Sequence, residues 1–204
     1  MKRKGRLLLI LAALALWVYL GMPGTDPVIA RLRSEKLNRT PLPGWVQEEL
    51  IEIDGTSRQG EKLEGIRNIV IHYVGNPGTT ALQNRNWYAN PESEVSSHFL
   101  VGLDGEVLLC VPLDERSSAS NHRNADTISI EVCHPDASGK FSDSTYDALV
   151  TLTAWLLDSC CLDARTVIRH YDITGKECPR YFVEHEESWE AFRADVARAA
   201  RKKG

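Results

Sequence analysis

Two histidines and one cysteine, each at the end of a strand-like segment, are the first chemistry this sequence offers. His72 lies near the end of residues 66–73 (IRNIVIHY), a β-branched apolar run with the signature of a buried strand. His170 closes a shorter run that starts at Thr166, and Cys178 follows it by eight residues in RHYDITGKECPR. Two imidazoles and a thiolate suit zinc, which accepts both nitrogen and sulfur donors. Three ligands at strand ends leave a fourth position open to solvent, as in catalytic rather than structural sites. By residue type alone, a histidine at a strand end is as readily a satisfied structural group. A structural zinc centre would need a fourth protein ligand, and no other Cys or His has convincing spacing.

The elements that must position these residues follow from pattern. Residues 80–88 fit a short helix that stops before Asn90-Pro91. Residues 97–101 and 106–111 flank Leu103-Asp104-Gly105, and Asp-Gly between apolar runs signals a hairpin. Residues 127–133 (TISIEVC) alternate and read as a strand. Ser142 or Asp143 can cap a helix running to about Cys161, with Leu149, Leu152, Thr153, Leu156 and Leu157 as its apolar stripe. A short strand over 166–169 and a helix over 188–200 complete the chain. Strands alternating with helices, plus one hairpin, predict an α/β domain with a central mixed sheet flanked by helices.

Composition bounds the rest. With 204 residues, 43% hydrophobic and 25% charged, the chain is neither disordered nor low-complexity, and one domain with an appendage is expected. The first 39 residues hold eight basic and two acidic groups. The remainder holds 16 basic against 26 acidic, so nucleic acid is not an expected partner. Lys2, Arg3, Lys4 and Arg6 precede an uncharged run over residues 7–22, the layout of a signal peptide or signal anchor. The run is short against the ~20 residues that span a bilayer, but no strong small-x-small cleavage site follows it, which favours an uncleaved anchor. Residues 1–22 are therefore assigned as a signal anchor or signal peptide, 23–60 as a proline-interrupted tether and lead-in, and 61–204 as the globular domain. Residues 45–53 (WVQEELIEI) could add a strand or short helix at the domain edge.

NIVIHY, SSHFLV, ISIEVCHPDASGKF and RHYDITGKECPR occur in that order. Together they resemble the zinc-dependent N-acetylmuramoyl-L-alanine amidases of type 2, a group that includes phage-lysozyme amidases and peptidoglycan recognition proteins. The resemblance covers roughly residues 45–195. It implies one zinc ion per chain, held by His72, His170 and Cys178, with Glu131 acting at the metal-bound water and Lys176 stabilising the developing oxyanion. The implied reaction is hydrolysis of the amide joining N-acetylmuramic acid to L-alanine in peptidoglycan; the alternative is a non-catalytic peptidoglycan-binding module on the same fold. Phage-lysozyme-type members carry a Tyr before the His-Phe pair, where this chain has Ser97.

Other groups stay open at this level. His98 is a candidate substrate contact lining the cleft, or a satisfied structural histidine. His122 lies in SASNHRNAD, a loop position where related enzymes touch substrate. His134 and His185 read as surface or turn residues. Asp172 either supports the metal loop or caps a turn. Cys110 and Cys133, on predicted strands, could pair or remain buried thiols, while the adjacent Cys160 and Cys161 are not expected to bridge each other. The expected partners are peptidoglycan or muropeptides and the cytoplasmic membrane, for a monomer held outside the cytoplasm.

Overall fold

The computed structural model describes residues 26–53 and 56–201. The expected membrane or signal segment over 1–22 lies outside them. No helix of the described residues is long and apolar enough to cross a membrane.

The first described element corrects the tether. Helix α1 (Asp26–Arg39) occupies its first half, and Ala30, Ser34 and Leu37 form its buried stripe. Pro27 sits in its first turn, where a missing N–H costs nothing, so it starts the helix rather than interrupting an extended segment. The amide of Ile66 donates to the Ala30 carbonyl at 2.8 Å. A Cβ on Gly65 would lie 2.7 Å from the Ala30 carbonyl carbon, so only glycine lets the chain pass this close to α1.

Beyond α1 the longer elements follow the sequence pattern, while two short helices between the last strand and the terminal helix were not read from it. They are β1 (Val46–Glu48), β2 (Asn68–Tyr73), α2 (Ala81–Tyr88), β3 (Phe99–Val101), β4 (Val107–Leu109), β5 (Thr127–Val132), α3 (Asp143–Cys160), β6 (Val167–Arg169), α4 (Tyr171–Thr174), α5 (Arg180–Glu184) and α6 (Glu186–Arg201). Thr80 and Gln83 close a capping box on α2, and the Ser142 side chain caps α3 through the Thr145 amide.

The described strands form one mixed sheet in the order β1-β4-β3-β5-β2-β6. β3 and β4 pair antiparallel as the expected hairpin, and β1 adds an edge strand parallel to β4. β3, β5, β2 and β6 run parallel to one another.

Strand alternation sends Ile69, Ile71, Phe99, Ile128, Ile130 and Val167 into one core with Leu149, Leu152 and Leu156 of α3 and Phe192 of α6. The expected α3 stripe is buried throughout. Burying each such side chain contributes about 1.5–3 kcal/mol. The opposite face is covered more thinly: Leu100, Leu108 and Cys110 meet Ala81 and Tyr88 of α2 and Ile51 of the lead-in.

Candidate metal and active site

The central strands bring the chemistry to one end of the sheet. β2 and β5 pair so that His72 stands beside Glu131. β6 lies on the other side of β2, and the His170 amide donates to the Ile71 carbonyl at 3.2 Å. The chain then turns through α4, ends it at Gly175 in the left-handed region (φ 75°), and returns. The Tyr171 amide donates to the Cys178 carbonyl at 2.9 Å, which sets the thiol beside the imidazoles. The Cys178–Pro179 peptide is cis.

His72, His170 and Cys178 each offer one ligand atom, and these atoms all lie within 4.8 Å of one another. Cys178 Sγ is 3.9 Å from His72 Nδ1, and the two imidazole rings are 4.7 Å apart. All three residues are buried. Glu131 Oε1 is 3.9 Å from His72 Nδ1, and Glu131 Oε2 is buried with no hydrogen-bond partner among the described residues. A buried carboxylate oxygen without a partner is costly unless something else in the functioning protein meets it.

Burial dominates the electrostatics. It pushes the Glu131 carboxyl up to about 8, with Lys176 pulling it back. It also pushes the Cys178 thiol up, while the Tyr73 amide and Lys176 oppose it. Both imidazoles are held below their ordinary value, first by burial; His170 and Lys176 add to this at His72, and Lys176 adds to it at His170. Lys176 thus acts electrostatically on every member of the cluster. A buried set of neutral imidazoles and a thiol is what a cation would exploit, because it favours free imidazole lone pairs and the thiolate.

Glu131, His170, Lys176 and Cys178 line a cavity of about 460 Å³ with Tyr73, Val95 and Asn121. A neighbouring groove of about 310 Å³ shares Gln59, Ser118, Asn121 and Asn124 with it, and His122 lines that groove. His122 therefore stands beside the cluster rather than in it.

His98 needs a correction. It is fully buried, and both ring nitrogens are used: Nδ1 accepts from the Ser129 amide at 3.1 Å, and Nε2 donates to the Glu115 carbonyl at 2.9 Å. It holds loop and sheet together and offers nothing to the cavity. His134 is also corrected, from the surface to the interior: it is 1% exposed, its ring packs on Tyr73, and Nδ1 meets the Asp136 carbonyl oxygen at 2.7 Å. His185 caps α5 at a turn, as expected.

Asp172 is resolved in favour of the turn. Its carboxylate accepts from the Arg169 amide at 2.8 Å and from the Arg169 guanidinium, not from a cluster histidine. Arg169 also reaches Glu186 at 2.6 Å and the Phe182 carbonyl at 2.9 Å, and it packs on the rings of Tyr171 and Trp189. All five cysteines are free thiols.

Sequence reasoning missed Ser120 and Asn121, whose side chains meet the two cluster histidines from outside. It also missed Tyr88, whose hydroxyl lies 3.2 Å from Ser97 Oγ under the same face of the sheet.

The family sequence model described as N-acetylmuramoyl-L-alanine amidase matches residues 62–181. The chain is 29% identical over 167 residues to the N-acetylmuramoyl-L-alanine amidase BlyA of Bacillus subtilis (strain 168), a match covering 72% of this chain and 45% of that protein. It is 27% identical over 168 residues to the N-acetylmuramoyl-L-alanine amidase CwlL of Bacillus licheniformis, covering 74% and 46%. The chain thus spans about half the length of these curated relatives. Among solved structures, a mutant endolysin from Bacillus subtilis superposes with a TM-score of 0.65 at 25% identity, covering 74% of this chain and 97% of that one. The catalytic domain of XlyA gives the same TM-score and identity and is covered over 98% of its length.

Proposed function

The chain belongs to the N-acetylmuramoyl-L-alanine amidase family, and on that premise we propose that it hydrolyses the amide between N-acetylmuramic acid and the L-alanine of the peptidoglycan stem peptide, with one zinc ion held by His72, His170 and Cys178. The observation that carries this reading is the triangle of two imidazoles and a thiol, of which His170 and Cys178 line the cavity, with the unpartnered Glu131 Oε2 beside it. The donor set fits zinc: nitrogen and sulfur ligands, three in number, with the cavity side open. When bound, zinc supplies a Lewis acid for the scissile carbonyl and makes water acidic enough to be deprotonated near neutrality.

The chain's own residues do the rest. Glu131 takes the proton of the attacking water and returns it to the leaving amine of L-alanine, which would otherwise depart as an unstable anion. Lys176, on the cavity wall, faces the negative charge that develops on the carbonyl oxygen. Tyr73 and Val95 supply apolar walls against which a stem peptide can lie, and the groove beyond Asn121, with His122, extends that surface. The substrate partner is peptidoglycan or its muropeptides. The protein acts as a monomer outside the cytoplasm, held at the membrane by residues 1–22 if that segment is retained.

The test is mass spectrometry of purified peptidoglycan incubated with the full chain, with zinc and with a chelator. The expected products are free stem peptides that begin with L-alanine, lost on chelation. Intact glycopeptides in both samples, with muropeptide binding retained, would replace the hydrolase by a binding module. Cleavage that survives complete metal removal would leave the reaction and remove the zinc.

A further inference from the structure

One short turn outside the sheet touches both histidines of the cluster. It runs from Ser120 through a 3-10 turn at Asn121–Arg123 to Asn124. Asn121 Oδ1 is 2.7 Å from His170 Nε2, and Ser120 Oγ is 3.4 Å from His72 Nε2. The other nitrogen of His72, Nδ1, faces Cys178 Sγ and Glu131 Oε1, each at 3.9 Å. His72 thus turns Nδ1 inward and Nε2 toward the turn.

The bond to His170 has a chemical consequence. An amide oxygen can only accept, so the nitrogen it meets must carry the proton. His170 is then the Nε2–H tautomer, and the lone pair free for a ligand bond is on Nδ1. His170 thus turns its N–H toward the same turn that His72 Nε2 faces.

The turn is built to hold that position. Asn121 has φ 54°, a left-handed conformation that Asn, Asp and Gly adopt far more readily than other residues. The Ser120 amide donates to Asn124 Oδ1 at 2.6 Å, and Ser120 is fully buried. Arg123 ties the turn down through Asp126 Oδ1 and Asn68 Oδ1, both at 2.7 Å, and Asn68 is the first residue of β2. The strand that carries His72 and the turn that braces His170 therefore share an anchor.

We propose that Asn121 is the positioning residue of the metal centre: its side-chain oxygen fixes the tautomer and ring angle of His170, with Ser120 giving His72 a weaker brace. This rests on the zinc reading above. Outer partners of this kind change metal affinity by ~10–100-fold when removed.

The experiment uses the full chain with Asn121→Gly and Asn121→Asp. Both substitutions accept a positive φ, so backbone strain is not the variable; Gly removes the acceptor oxygen and Asp keeps it. Zinc affinity is measured by competition with a chromophoric chelator at pH 8. In parallel, nitrogen-15 NMR of the metal-free proteins reports which ring nitrogen of His170 carries the proton.

The expected result is an affinity ~10–100-fold weaker for Asn121→Gly, rescued to within a few-fold by Asn121→Asp. His170 should be the Nε2–H tautomer in the wild type and a tautomer mixture in Asn121→Gly. Equal zinc affinity in wild type and Asn121→Gly overturns the proposal, as does an Asp variant as weak as Gly or a wild-type His170 protonated on Nδ1. A wild-type chain that takes up no zinc overturns the zinc reading itself, an outcome distinct from tight binding that ignores Asn121.

Discussion

Along β5, Ile128, Ile130 and Val132 turn toward α3 and α6, while Ser129 and Glu131 turn toward the α2 side and the cavity. β2 repeats the pattern, with Ile69 and Ile71 on the first side and His72 on the second. The same strands thus serve two regions built on different physics. On the core side, burial of apolar area dominates. On the site side, buried polar groups are held by specific partners, as in the chain from Ser117 Oγ to Ser129 Oγ to His98. There each lost partner leaves a desolvated group behind. The core side should set how stable the protein is, and the site side what it does.

The strongest way to break that comparison is Glu131→Gln. Turnover on peptidoglycan should fall ~10²–10⁴-fold, the usual worth of a positioned general base, with the melting temperature unchanged or slightly raised. Survival of turnover would move the base to another group. Leu152→Ala is the opposite case. It opens a cavity at a fully buried position of α3 and should cost about 2–5 kcal/mol in urea unfolding, with zinc per folded molecule unchanged. A loss of zinc in the folded fraction would mean the two faces are not separable.

Acid sharpens the comparison. Burial holds the folded His98 ring down at about 4, against an ordinary value of 6.5, with the bond to the Glu115 carbonyl working upward. The unfolded chain therefore binds a proton that the folded chain refuses. Its contribution to stability is complete above about pH 6.5 and is lost as pH falls toward 4, a change of about 3 kcal/mol. NMR titration of the His98 ring checks this, and a midpoint near 6.5 would show the ring to be solvated. Thr80→Ala is the smallest change. It removes the α2 cap and should cost about 1 kcal/mol, with little effect on turnover, since α2 covers the site side from behind.

Much of the scaffold was legible because local signals and tertiary packing agree. The Ser142 cap, the Asp104-Gly105 hairpin and the β-branched run before His72 all say locally what the fold needs. Helix α1 was missed because its buried stripe is only Ala30, Ser34 and Leu37, while its proline reads as a break unless the helix start is known. The cluster of His72, His170 and Cys178 was legible through residue types taken together with the family resemblance. Its outer supports were not, because Asn121 depends on a left-handed turn and a contact 49 residues away, which no local spacing encodes. His98 stayed open between cleft contact and structural histidine for a related reason: alternation gives a side, but not whether that side is cavity or packed loop.

Arg169 has a mechanical consequence. Its guanidinium is bonded to Glu186 in the first turn of α6 and gripped between Tyr171 and Trp189, one residue before His170. The terminal helix and the segment that carries His170 and Cys178 therefore share a rivet. Peeling α6 from the domain must break those contacts, which lie next in sequence to His170.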